Sequence, residues 1–252
     1  MASEKVAACL VDLGSIDYAA AYSLQLALVE KRRSGQPADD LFLVTEHPST
    51  FTLGRRGGRE NLMVTEEFLA ARQIPLVHIE RGGDITFHGL GQLLLYPILH
   101  LRQAGLSVAG YVHCLEEVMI RLAAASGVVA DRDPRNHGVW AGGKKLGSVG
   151  IAIRHGIAFH GLALNVNLDL TPFSWVNPCG LSGVRMTSIS RECGREVTLD
   201  AVKKDLLGQL THIFSRPFIL HSKDYIDDFM HRSDPIRQTQ VAAPQSADRT
   251  GI

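Results

Sequence analysis

Cys179 stands in the run Asn177-Pro178-Cys179-Gly180. Proline fixes one backbone angle and glycine turns where a side chain would obstruct, so the thiol is presented on a rigid bend rather than packed into a helix or strand. Two other segments have the same over-specified look: Arg81-Gly82-Gly83-Asp84-Ile85-Thr86-Phe87-His88-Gly89 and Gly142-Gly143-Lys144-Lys145-Leu146-Gly147-Ser148. A nucleophilic cysteine, a nearby amine and a glycine-lined cleft are the outline of an acyl-transfer enzyme with a covalent thioester intermediate.

Each of these features also has a plainer reading. A free cysteine is most often a small buried hydrophobe. That reading suits Cys9, inside an apolar strand, while Cys114 lies beside a helix stripe and Cys193 in the turn Glu192-Cys193-Gly194. Lysines are usually solvated, and Lys144-Lys145 could be a charged hairpin turn. Adjacent strand residues point to opposite faces, so at most one of the two enters a cleft. An ammonium there would stabilise the thiolate of Cys179. His88 and His160 sit in tight glycine contexts, where a histidine is more often a structural hydrogen-bonder than a base. The chain has 11 histidines but no H-E-x-x-H pattern, so no metal is assigned. Gly54-Arg55-Arg56-Gly57-Gly58-Arg59 superficially resembles a phosphate loop, but such runs are common surface turns.

The elements that must hold these groups can be read from periodicity. Ala7 to Leu13 is an apolar strand, with Ser15 as N-cap of a helix that buries Ala20, Leu24, Ala27 and Leu28. Lys31, Arg32 and Arg33 close it, favouring the helix dipole. Leu41 to Thr45 reads as a strand, Thr65 starts a short helix ending before Pro75, and Leu76 to Ile79 is strand-like. Residues 81–91 read as a glycine-rich loop leading into a strand from Leu93 to Pro97. After Ser107 a helix carries Val108, Tyr111, Val112, Leu115, Val118, Met119 and Leu122 on one stripe and stops at Gly127. Strands follow around Gly138–Ala141, Leu146–Arg154 and Ile157–Leu168, turning at Gly142-Gly143 and His155-Gly156. A helix from Thr198 buries Val202, Leu206, Leu210 and Ile213. Past Ser222 the period is lost.

At 252 residues the chain can bury a sizeable core in one domain. The expectation is one α+β domain over 1–221, a mainly antiparallel sheet flanked by helices, with a C-terminal extension over 222–252 whose last dozen residues are disordered. Lys plus Arg and Asp plus Glu number 26 each, so no net field points to nucleic acid or a membrane. Neutrality leaves room for a local basic patch that docks an acidic protein. No apolar run approaches a membrane span. Met1-Ala2-Ser3-Glu4-Lys5 has no signal-peptide core, which gives a cytoplasmic expectation. The four cysteines are scattered without a C-x-x-C pair, against a disulfide framework or structural zinc.

Taken together the segments resemble the octanoyltransferase family of lipoate biosynthesis (LipB, lipoyl(octanoyl) transferases). The resemblance runs from about Glu46 to Ser190. It rests on Glu46-His47-Pro48 with Phe51-Thr52-Leu53-Gly54-Arg55, the Arg81-to-Gln92 loop, and Lys145-Leu146-Gly147-Ser148-Val149-Gly150. It continues through Phe159-His160-Gly161-Leu162-Ala163-Leu164-Asn165-Val166-Asn167 to Asn177-Pro178-Cys179-Gly180. Leu90 departs from it, standing where the family usually has proline, which removes a preset backbone angle but no reacting group.

The resemblance implies the biotin/lipoate protein ligase fold, a central mixed sheet with helices around it. It implies Cys179 as acyl-thioester nucleophile and Lys145 as the lysine that lowers the thiol pKa, a choice local sequence leaves open. Substrate binding falls on residues 81–88 (Arg81, Gly82, Gly83, Asp84, Ile85, Thr86, Phe87, His88), on Ser148, Val149 and Gly150, and on Gly161, Leu162 and Ala163. The implied donor is octanoyl-acyl carrier protein, and the acceptors are lipoyl domains of 2-oxoacid dehydrogenases and the glycine cleavage H protein. No cofactor is implied, neither ATP nor metal. The rivals are an ATP-dependent lipoate or biotin ligase, which needs no nucleophilic cysteine, and a thiol hydrolase, which differs only in using water. For a non-catalytic carrier-binding protein, Cys179 and Lys145 would be surplus.

Overall fold

The computed structural model describes residues 6–35, 39–177 and 183–231. Cys179 and the expected disordered C-terminal end lie outside the described residues. Strand β1 (Ala8–Ser15) leads into helix α1 (Tyr18–Arg33), then β2 (Leu41–Glu46), β3 (Thr50–Leu53), α2 (Glu66–Ala70), β4 (Leu76–His78), β5 (Ile85–His88) and β6 (Gln92–His100). Helix α3 (Val108–Ala125) is followed by β7 (Asp131–Asp133), β8 (Asn136–Ala141), β9 (Lys144–Arg154) and β10 (Ile157–Asn165). The short α4 (Ile189–Cys193), α5 (Leu199–Phe214), β11 (Phe218–Ser222) and α6 (Asp224–His231) complete the described chain.

Eight strands form one sheet in the order β11-β1-β2-β6-β10-β9-β8-β7, and β4-β3-β5 form a second. In the large sheet only β11/β1 and β1/β2 are parallel, so it is mixed and mainly antiparallel. Both its faces are covered, which explains why β2 is a continuous apolar run rather than an alternating one. Phe42 and Val44 join the core under α3 and α5, whereas Leu41 and Leu43 join the core under α1 and α6. A third core, with Phe51, Ile85, Phe87 and Phe173, fills the small sheet.

The stop and start signals at Ser107, Thr65 and Thr198 cap α3, α2 and α5 as expected, each hydroxyl accepting a backbone N–H. Ser15 does not cap α1. It is drawn into β1 opposite Glu46, and Asp17 takes the cap, accepting from the N–H groups of Ala19 and Ala20. The buried face of α1 is accordingly Tyr18, Ala21, Gln25, Leu28 and Val29, while Ala20 is exposed. Val108 is likewise exposed, at the start of α3. Four strands (β3, β5, β7 and β11) and two helices (α4 and α6) carry no signal the sequence reading used. β5 lies within the expected loop, β7 has only three residues, and β11 pairs with β1. Past Ser222 the chain forms α6, and Ile226 and Phe229 enter the second core. Among the described residues no helix is long and apolar enough to cross a membrane.

Candidate active site

The site starts from a defect in the large sheet. β6 and β10 share one register, in which Ala158 faces Leu99 and Leu162 faces Leu95, so His160 lies opposite Pro97. Proline has no N–H to give, and the ladder breaks there. His160 adopts a left-handed φ of 55°, and its N–H turns to Oε1 of the buried Gln25 at 2.8 Å. Gly161 must follow without a side chain, because a Cβ would fall 2.1 Å from the carbonyl oxygen of Leu95. A cavity opens at this break on the α1 side.

Pairing between β9 and β10 puts two expected binding segments face to face, with Gly161 opposite Gly150, Leu162 opposite Val149 and Ala163 opposite Ser148. The third segment is tied on by its backbone, since the N–H of Gly82 donates to the carbonyl of Ile151 at 2.9 Å. Arg81 lays its stem over Gly150, where a Cβ would sit 3.0 Å from its Cδ. The run from Gly54 serves this rim rather than an anion: Arg55 N–H donates to the Arg81 carbonyl (2.9 Å) and Arg56 N–H to that of Gly83 (3.1 Å).

The cavity is lined by residues 81–84, Thr86, His88, 148–150 and 161–163, together with Tyr18, Leu94, Tyr96, Asn136 and His160. Of the expected binding residues only Ile85 and Phe87 are elsewhere. Strand alternation turns them into the third core, where they back the wall formed by Thr86 and His88. Sequence reading missed Tyr18, Leu94, Tyr96 and Asn136, which reach the cavity from α1, β6 and β8. No local motif marks them; the sheet order brings them there.

Both strand lysines are accounted for. Lys144 forms a partly exposed ion pair with Glu192 at 2.5 Å, whereas Lys145 is buried, at 1% exposure. Its Nζ lies 3.3 Å from Oδ1 of the cavity residue Asn136 and 5.7 Å from the centre of the Trp140 ring. Its backbone is bonded to the chain that resumes after residue 182. Lys145 N–H donates to the Arg185 carbonyl at 2.8 Å, and Thr187 N–H donates to the Lys145 carbonyl at 2.9 Å. On the other side, Asn177 N–H donates to the Asn61 carbonyl at 2.8 Å. The described chain is therefore held at Asn177, and again from Arg185 to Thr187 by the strand that carries Lys145.

The other cysteines have structural settings. Cys9 Sγ is 3.2 Å from the Tyr225 hydroxyl, Cys193 Sγ donates to the Ser126 carbonyl at 3.0 Å, and Cys114 is half-buried on α3, where burial raises its thiol pKa. Cys193 closes α4 rather than lying in a turn. Leu90 is exposed on its loop, which is held without proline. Gly91 N–H donates to Glu46, and its carbonyl accepts from Val166 and Asn167.

Three buried histidines surround the cavity. His47 donates from Nδ1 to the Ile16 carbonyl (2.7 Å) and accepts at Nε2 from Tyr96 (2.9 Å). His88 is stacked on Tyr18, and His160 on Tyr22. Burial pushes all three below the ordinary imidazole range, His88 down to about 3, and His160 despite the Glu80 carboxylate 3.8 Å away. A group whose folded pKa is depressed stabilises the fold above its unfolded pKa and loses that contribution as pH falls. Stability should therefore decline from about pH 6.5 downward, by about 1.4 kcal/mol per pH unit for each histidine that protonates on unfolding. Urea unfolding from pH 7 to 4.5 measures this, and replacing His88 with Asn should flatten the slope. A midpoint constant from pH 7 to 5 would contradict it.

The profile of the lipoyl protein ligase A/B catalytic domain matches residues 17–211. An octanoyltransferase of Desulfotalea psychrophila is 54% identical over 215 residues, covering 84% of this chain and 96% of the relative. One from Syntrophobacter fumaroxidans is 45% identical over 209 residues, covering 83% and 91%. The crystal structure of a lipoate-protein ligase A bound with ATP superposes with a TM-score of 0.70 at 18% identity, over 89% of this chain and 92% of that one, which is a likeness of fold. With the cavity built from the same segments that carry the sequence resemblance, the chain belongs to the octanoyltransferases, within the lipoyl protein ligase A/B catalytic-domain family.

Proposed function

We propose that this octanoyltransferase works through a thioester on Cys179, taking octanoyl from acyl carrier protein and passing it to a lysine of a lipoyl domain, without ATP, metal or any other cofactor. The acceptors on this reading are the lipoyl domains of 2-oxoacid dehydrogenases and the glycine cleavage H protein, met in the cytoplasm. One observation carries it: a buried lysine whose side chain contacts a cavity residue and whose backbone is bonded to the segment that follows the cysteine.

The steps follow from ordinary acyl chemistry. The Cys179 thiolate attacks the octanoyl carbonyl, and the tetrahedral intermediate expels the carrier's thiolate, which takes a proton from the Lys145 ammonium. Lys145, now neutral, accepts a proton from the lipoyl-domain amine as that amine attacks the acyl-Cys179 thioester. The C–S bond breaks, an amide forms, and the thiolate–ammonium pair is restored. Converting a thioester to an amide runs downhill, so no nucleotide is consumed. The apolar bore formed by Leu94, Val149, Leu162 and Ala163 suits a saturated chain, and its glycines let backbone approach the ligand closely.

Chain-length selectivity tests this reading. Six methylenes at about 0.8 kcal/mol each give roughly 5 kcal/mol of binding energy when buried. Octanoyl-carrier donor should outperform hexanoyl several-fold per missing methylene, and decanoyl, two methylenes longer, should also be used less well. Ala163→Leu, which thickens the wall, should shift preference toward hexanoyl. All of this should occur in nucleotide-free buffer, with free octanoate plus ATP inert. Equal use of the three donors, or a requirement for ATP, would overturn the reading.

A further inference from the structure

A buried chain of hydrogen bonds leaves the cavity and ends beside Lys145, and each of its links has a defined direction. Arg81 donates from Nη2 to the carbonyl oxygen and to Oγ1 of Thr52, at 2.7 and 2.8 Å. Arg81 Nε also donates to Thr52 Oγ1, at 3.3 Å, so both acceptor positions of the hydroxyl are filled and its own proton goes to Nε2 of His88, 3.3 Å away. His88 Nδ1–H then donates to Oε1 of Gln92 at 2.8 Å, and Gln92 Nε2 donates to Oδ1 of Asn165 at 2.9 Å. Asn165 Nδ2 donates to the carbonyl of Thr187 at 2.9 Å.

Two backbone carbonyls forbid the reverse orientation. Flipping Gln92 would set its oxygen against the Phe87 carbonyl, to which its Nε2 now donates at 3.3 Å. Flipping Asn165 would set its oxygen against that of Thr187. The directions match the donors and acceptors each group possesses. They require a neutral His88 with its proton on Nδ1, both ring nitrogens occupied, so His88 is part of the framework and not a base. Thr187 is the residue whose N–H holds the Lys145 carbonyl. Gln92, Asn165 and His88 are all buried, so no water competes for these bonds.

We infer that Asn165 and Gln92 are positioning residues for acyl transfer: they pin Thr187, and through it fix Lys145 against the chain that emerges from the cysteine segment. This rests on the Cys179–Lys145 reading. Reversing one donor should misplace the amine relative to the thiol. A displacement of about 1 Å at a reacting pair costs on the order of a hundredfold. Cavity residues that bind the acyl chain are untouched, so KM for the donor should hardly change.

The test uses the full-length protein with octanoyl-carrier donor and lipoyl-domain acceptor. Asn165→Asp places a carboxylate oxygen against the Thr187 carbonyl, and Gln92→Glu removes the donor one link earlier. Each should lower kcat by about tenfold to a hundredfold, leave donor KM within about twofold, and move the pH midpoint of Cys179 alkylation by iodoacetamide upward. The double variant should be little worse than the worse single one, as expected of one connected unit. Thermal unfolding is followed in parallel, and should Asn165→Asp not fold, Gln92→Glu alone carries the test. Folded variants with wild-type kcat, or with a change in KM alone and an unmoved alkylation curve, would overturn the inference. Cys179→Ser run alongside separates the two claims. If it is inactive while the relay variants turn over normally, the relay fails and the thioester stands; if it stays active, the thioester reading fails and takes the relay with it.

Discussion

Replacing Cys179 with serine is expected to reduce octanoyl transfer by about a thousandfold or more, equivalent to roughly 4 kcal/mol of transition-state stabilisation. The hydroxyl oxygen is nearly isosteric with the thiol, but its proton is held far more tightly near neutral pH. On the proposed pairing with Lys145, an ammonium would not make a serine hydroxyl a useful nucleophile. Alanine at Cys9, Cys114 or Cys193 should leave turnover close to normal. Cys9 is buried against Tyr225 and Cys193 is bonded to Ser126, and none of the three lines the cavity. Steady-state transfer from octanoyl-carrier donor to a lipoyl domain measures all four variants. Near-normal turnover by Cys179→Ser would exclude a covalent intermediate on this residue.

The second large effect belongs to Lys145. Lys145→Met keeps most of the buried stem and deletes the charge, so it separates electrostatics from packing. A thiol at its ordinary pKa of about 8.5 is only a few per cent ionised at pH 7, and lowering that by one to two units makes the thiolate a large fraction. Removing the ammonium should raise the alkylation midpoint of Cys179 by that amount and cut turnover at pH 7 by about tenfold or more. Raising the pH should recover part of the loss. Lys144→Ala removes only a partly exposed ion pair with Glu192, worth at most about 1 kcal/mol, and should leave the alkylation curve in place. Coincident curves for wild type and Lys145→Met would dismiss the pairing.

What could be read from sequence was what is local. Helices α3 and α5 have a hydroxyl cap at one end and an apolar stripe along their length, and both signals act within a few turns. The hairpins at Gly142-Gly143 and His155-Gly156 need left-handed backbone, and the turn chemistry shows it. Strand alternation limited the lysine choice to one of two, and the structure buries Lys145 and turns Lys144 to Glu192. What stayed hidden depends on the tertiary arrangement. β11 is a strand because β1 offers it an edge, and Asp17 rather than Ser15 caps α1 because β2 pairs with Ser15 first. β5 was masked by the glycines before it, although Ile85 and Phe87 alternate as a strand should.

The site divides the same way. Its glycine-rich segments announced themselves, but their meeting depends on the β9–β10 register and on Pro97 breaking the ladder opposite His160. Asn136 and Tyr96 carry no motif, and the relay through Gln92 and Asn165 joins residues 73 apart in sequence. No window of sequence contains such a pair.

Mass spectrometry of the protein incubated with octanoyl-acyl carrier protein, without nucleotide and before any lipoyl domain is added, detects the acyl-enzyme itself. One octanoyl group per chain is expected, located on the peptide that contains Cys179 and absent from Cys179→Ser. Adding lipoyl domain should discharge it, and the same group should appear as an amide on the acceptor lysine. Octanoylation of the lipoyl domain with no adduct ever found on Cys179, or an adduct that yields only free octanoate, would contradict the account.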